Sequence, residues 1–97
     1  MKLTTLKNKL KGFGRTYNLT SNRTGREVPN QIVTDFNNGS VFKSYDSIIA
    51  VKYKGRVYLT DAWNYSVTTG KYRNQFLGEN IAETREKIKN GTYKLLR

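Results

Sequence analysis

The sequence predicts an α+β fold: a small antiparallel β-meander of about four strands, a C-terminal α-helix and a short basic N-terminal helix. Three observations carry this prediction. Between Gln31 and Thr60, extended runs rich in β-branched and aromatic residues are separated by Asn-Gly and Lys-Gly turns. Asn80-Ile81-Ala82-Glu83 has the form of a capping box opening a helix. Leu3, Leu6, Leu10 and Phe13 recur at helical spacing near the N-terminus.

The Leu stripe makes Leu3 to Lys11 an amphipathic helix with Lys7, Lys9 and Lys11 on its outer arc, stopped by Gly12 and Gly14. So short a helix is marginal alone and must dock its stripe on the body or on a partner, the body being the better expectation. The stretch from Arg15 to Asn30 is Thr-, Asn-, Ser- and Arg-rich and is expected to be a mobile loop with a short edge strand around Thr16 to Leu19. Residues 1–26 are therefore expected to form a basic arm, and residues 27–97 a single α+β domain.

In that domain Gln31 to Phe36 is a strand with Ile32, Thr34 and Phe36 on one face. Asn37-Asn38-Gly39 turns it, because Asn and Gly tolerate positive φ, and Ser40 to Tyr45 returns. Ser47 to Tyr53, a turn at Lys54-Gly55, and Arg56 to Thr60 complete the meander. Strict alternation puts Ile49, Val51, Tyr53, Val57 and Leu59 on an apolar face and leaves Lys52, Lys54, Arg56 and Tyr58 outward. Asp61 to Gly78 shows no clean periodicity and is expected to be a long irregular connection pinned by Trp63, Tyr65 and Phe76. The helix from Asn80 runs to about Asn90, with Glu early and Lys or Arg late as the macrodipole favours, and Gly91 supplies a left-handed stop. Thr92 to Leu96 is a last edge strand.

Only 36% of the 97 residues are apolar, so the core is thin and its seven Tyr, four Phe and one Trp must supply much of it. Absence of Cys and His removes disulfides, thiolate and imidazole metal sites, and the commonest nucleophile–base pairs. Asp35, Asp46, Asp61 and Glu27 have no spacing that gathers them around a metal. The expectation is a protein that works by binding, without a cofactor, rather than an enzyme. Lys residues interrupt the N-terminal apolar run, which argues for the cytoplasm rather than secretion. The five Asn-x-Ser/Thr triplets, beginning at Asn18, Asn22, Asn38, Asn64 and Asn90, are then chance in an Asn- and Thr-rich chain.

The formal charge of +11 is concentrated at the two ends. Met1 to Arg26 holds seven bases and no acid, the middle is balanced, and the segment from Asn64 onward is basic again. This is the distribution of a protein that neutralises phosphates. The candidate contacts are Lys7, Lys9, Lys11, Arg15, Arg23 and Arg26 on the arm, Lys52, Lys54 and Arg56 on the sheet, and Lys71, Tyr72 and Arg73 beside the hydroxyls of Ser66, Thr68 and Thr69. Expected partners are DNA or RNA, a host nucleoprotein complex, or an acidic host protein surface, with no membrane.

The run Trp63-Asn64-Tyr65-Ser66, Thr68-Thr69, Lys71-Tyr72-Arg73, Phe76-Leu77-Gly78, followed by Thr84, Ile88 and Gly91, resembles a family of short uncharacterised proteins from phages and prophages of Gram-positive bacteria. Asn38-Gly39 and Gly55-Arg56-Val57-Tyr58 extend the likeness over roughly residues 28 to 95. The resemblance implies a small accessory protein that binds nucleic acid, or one that inhibits a host enzyme or defence system in the anti-restriction or anti-CRISPR manner. It implies no catalytic residue.

Overall fold

A computed structural model describes residues 1–96. The elements in chain order are α1 (Leu3–Lys9), β1 (Phe13–Thr20), β2 (Glu27–Phe36), β3 (Gly39–Ser44), β4 (Ser47–Tyr53), β5 (Arg56–Leu59), α2 (Val67–Leu77), α3 (Ile81–Lys89) and β6 (Tyr93–Leu95). One six-stranded sheet holds the strands in sequence order. β1 to β5 form an antiparallel meander, and β6 returns parallel to β5 after the α2–α3 crossover. The α+β class and the meander agree with expectation, but the sheet has six strands instead of about four.

Helices lie on both sides of the sheet. Tyr72 and Phe76 of α2 join Val33, Phe42, Ile49, Ala50, Leu59 and Tyr93 in one core, with Ile88 of α3 packed against it. On the opposite side Leu6 and Leu10 join Val51, Tyr58 and Leu96 in a second core. The expected division into an apolar and an outward face of β4 and β5 is therefore wrong. Tyr58 is buried under α1, and Lys52 faces the α2 side, where its Nζ donates to the Phe76 carbonyl at 2.7 Å and lies 4.3 Å from the Phe76 ring centre. A cation at the C-terminal end of α2 suits the helix dipole.

A β-bulge produces part of this arrangement. Phe42 pairs with Ala50 but Lys43 pairs with Ile48, so Ile49 is an extra residue in β4. Ile49 enters the α2-side core, whereas Ile48 packs with the α1-side cluster.

The boundary expected after residue 26 is not found. β1 pairs with β2 over most of its length, and α1 is docked, so residues 1–26 are part of the same domain. The β1–β2 connection is a compact turn rather than a loose loop: Ser21 N–H donates to Arg26 O, and Gln75 of α2 both accepts from Thr20 N–H and donates to its carbonyl.

Asn37-Asn38 turns the β2–β3 hairpin as expected, for a different reason. None of Asn37, Asn38 and Gly39 has positive φ. Instead the Asn38 amide donates to Lys9 O at 2.8 Å and accepts from Lys11 N–H at 3.0 Å, clasping the end of α1. Gly39 is required by proximity, since a Cβ there would stand 2.1 Å from Lys52 O and 2.8 Å from Leu10 Cδ2. Lys54-Gly55 does turn through positive φ at both residues, as a type I′ hairpin demands.

The segment expected to be irregular contains α2. Ser66 caps it by accepting from Thr69 N–H, and Gly78 ends it at φ 71°. Its buried positions are Thr69, Gly70, Tyr72, Arg73 and Phe76, a helical spacing carried largely by residues that are not apolar. The capping box at Asn80 and Glu83 and the left-handed Gly91 are as expected.

Replacing Asn38 with Ala removes both side-chain hydrogen bonds between the hairpin turn and the end of α1, leaving those from Asn37 N–H to Lys11 O and Gly12 O. It should lower stability by about 2 kcal/mol and speed amide exchange in α1 more than in β4. Urea melts with residue-resolved hydrogen exchange check both.

Candidate functional site

Alternation along the strands and their register assign the exposed cations to faces. On the α1 side, Lys43 pairs with Ile32 and Ile48, Arg56 with Tyr53, and Lys94 with Tyr58. Lys7 of α1 stands beside Ile32, Phe36 and Lys43 along a hollow of about 340 Å³, and Lys54 lies 5.5 Å from the Tyr53 ring centre. Lys9 and Lys11 flank the clasp on Asn38. Opposing acids on this side are Asp46, at the hollow, and Asp61, near Leu3.

α1 covers β4 and β5 and packs on Phe36 and Val41 at the near edge of β2 and β3, leaving the rest of the α1-side surface of β1 to β3 open. Ile32, Thr34, Phe36 and Val41 are partly exposed there, and Phe13 is 66% exposed, with its ring edge-on to Phe36 at 6.3 Å. Aromatic faces beside lysines are thus present on the sheet, on different strands from those expected. Lys43, Lys94, Phe13 and Phe36 were not among the candidates. Period-two alternation of β2 and β3 could have paired Lys43 with Ile32, but Lys94 depends on the parallel return of β6.

The other candidates are dispersed. Arg15 faces the α2 side, pairs with Asp35 at 3.3 Å and lies 4.5 Å from the Tyr17 ring centre. Arg23 and Arg26 are exposed in the β1–β2 turn near Gln75. Lys52 is partly buried; desolvation lowers its pKa, opposed by the charges of Asp35 and Glu79. Of Lys71, Tyr72 and Arg73 only Lys71 is exposed. Tyr72 is in the core, and Arg73 is 1% exposed. Tyr72 cannot reach a partner at the surface, because the segment is a helix whose inner face it occupies, and Arg73 reaches only the floor of a hollow beside Asn64 and Lys71.

Arg73 supports the connection before α2. Its Nη1 donates to Trp63 O at 2.8 Å and to Asn64 Oδ1 at 3.4 Å, and its Nη2 to Asn74 Oδ1 at 2.9 Å. Two guanidinium groups stand near Trp63, with Arg73 Cζ 5.3 Å and Arg85 Cζ 5.9 Å from its ring centre. Desolvation and then the charge of Arg85 lower the pKa of Arg73, with Glu79 opposing.

Glu79, 3% exposed in its side chain, ties α3 to β6. It accepts from Lys87 Nζ at 2.6 Å, Thr84 Oγ1 at 2.6 Å and Tyr93 OH at 2.8 Å. Burial alone would raise its pKa, but these hydrogen bonds and the Lys87 charge outweigh burial and hold it below the ordinary value. Among the described residues no group of three or more Asp or Glu side chains is placed to hold a metal ion, and no helix is long and apolar enough to cross a membrane.

The fold and these surfaces define a small α+β sheet protein with one strongly basic, partly aromatic side. Residues 15–91 match the family of unknown function DUF8033, and the chain belongs to that family. The match takes in nearly all of β1 as well as the stretch that carried the resemblance. No curated protein and no solved structure matches the chain.

The Glu79 network carries a pH signature. Because its folded pKa is depressed, its stabilisation is complete above the ordinary value of 4.5 and is lost as pH falls through the lower folded value. Glu79→Gln should lower the Tm at pH 7 and flatten the acid limb of a Tm-against-pH curve, measured by calorimetry.

Proposed function

We propose that this protein binds single-stranded nucleic acid on the α1 side of its sheet, as a small accessory protein of phage type acting in the cytoplasm. The observation that supports this most is the collection of exposed Lys7, Lys43, Lys54, Arg56 and Lys94 on one side, beside the Phe13–Phe36 pair on the uncovered strands. Phosphates meet the cations while bases stack on the phenyl rings, which is how sequence-tolerant single-strand binding works. Helix α1 does more than carry charge: it ends its cover at Phe36 and Val41 and so bounds the platform on one side. The protein acts by binding, and no residue is assigned a catalytic role.

A second reading is an inhibitor that docks on an acidic host protein or a nucleoprotein complex. The edge of β1 favours it, since among the described residues nothing pairs with that strand on the side away from β2. An extended segment of a partner could add there.

Fluorescence anisotropy with labelled single strands and duplexes separates these. Single-strand affinity should fall steeply with salt, with a log–log slope of about −0.7 per phosphate engaged. Lys7→Glu with Lys43→Glu should weaken binding at least tenfold. Phe13→Ala should weaken single strands more than duplex. No binding of any DNA or RNA at low salt would overturn the proposal, and a host protein complex that survives nuclease treatment would favour the inhibitor.

A further inference from the structure

The opposite side of the molecule has a hollow of about 630 Å³ over the first turn of α2, bordered by Asn64, Tyr65, Ser66, Lys71 and Asn74 and by Ile81 at the start of α3. Arg73 lines it and is 1% exposed. All three of its hydrogen-bond acceptors, Trp63 O, Asn64 Oδ1 and Asn74 Oδ1, are neutral, and its Nε–H is buried without a partner. Among the described residues no carboxylate stands within 4.0 Å of it, since the ion pairs there are Arg15–Asp35 and Lys87–Glu79. Glu79 acts on this guanidinium only from beyond contact distance, and a buried guanidinium with no contacting anion is an unfavourable arrangement that a bound anion relieves.

Two further features point the same way. The first turn of α2 contains no acidic residue, so the positive end of its dipole is unopposed. Ser66 takes up the N–H groups of Thr69 and Gly70, while those of Val67 and Thr68, at the start of the helix, lack acceptors within it. Lys71 adds a mobile cation at the rim, and Tyr65, 56% exposed, offers an aromatic wall.

We infer that this hollow binds a phosphate monoester, its dianion held by the start of α2 and Arg73 with Lys71 at the rim, and a ring attached to the phosphate lying against Tyr65. The volume is in the range of small-ligand sites. The phosphate can belong to a free nucleotide or to the end of a nucleic-acid strand, and the chemistry at the protein is the same. The site is independent of the basic face on the α1 side.

Titration of the ¹⁵N-labelled protein with inorganic phosphate at constant ionic strength tests this. Saturable shifts are expected at the amides of Val67 and Thr68 and at the Arg73 Nε–H. Val67 is 91% exposed, so Val67→Glu keeps the fold while placing a carboxylate at the mouth. It should weaken phosphate at least tenfold, and Lys71→Ala several-fold. Lys7→Glu with Lys43→Glu should leave phosphate binding unchanged even where it abolishes oligonucleotide binding, which separates this site from the sheet-face reading. A nucleoside 5′-monophosphate binding more tightly than phosphate supports a free nucleotide. A 5′-phosphorylated oligonucleotide outbinding its unphosphorylated twin, with the advantage lost in Val67→Glu, supports a strand end. Shifts spread over surface lysines, or an affinity indifferent to Val67→Glu, would overturn the inference.

Discussion

The extra residue at Ile49 is the constraint on which the layering depends. A strand covered on one side needs only alternation, but β4 must supply two cores at once. With the bulge, adjacent Ile49 and Ala50 both serve the α2 side, and Val51 and Ile48 serve the α1 side. In regular alternation Ile48 would turn toward α2, and the hollow beside Lys43 would lose part of its apolar wall. One irregularity therefore determines both how the helices are seated and where the open basic surface lies.

Elements governed by local chemistry were legible in the sequence. The Asn80 capping box, the left-handed Gly91, the Lys54-Gly55 turn and the Leu3/Leu6/Leu10 stripe act within a few residues of themselves. α2 was hidden because its inner face is built from Thr69, Gly70 and Arg73, which enter the interior through hydrogen bonds and close approach rather than apolar area. β1 was legible only as a short edge strand around Thr16 to Leu19; its full length was not, because exposed Gly14, Arg15 and Thr16 resemble a loop and pairing with β2 is what orders them.

The candidate site was legible only in part, for a related reason. Clustering of charge in sequence drew attention to Lys7, Lys9 and Lys11 and to Lys54 and Arg56, all of which are exposed. It could not tell that Lys52 would cap α2, that Tyr72 and Arg73 would turn inward, or that Lys43 and Lys94 would share a side. Face is a property of register, and register here includes a bulge and a parallel strand returning from far along the chain.

That return bears on the timing of assembly. Leu6 and Leu10, near the beginning of the chain, share their core cluster with Leu96. Val51, Tyr58 and the Asn38 clasp can seat α1 before β6 returns, and Leu96 then closes the cluster. The α1-side layer is therefore closed only when β6 has paired with β5, so whatever loosens that parallel edge also loosens the seat of the basic helix.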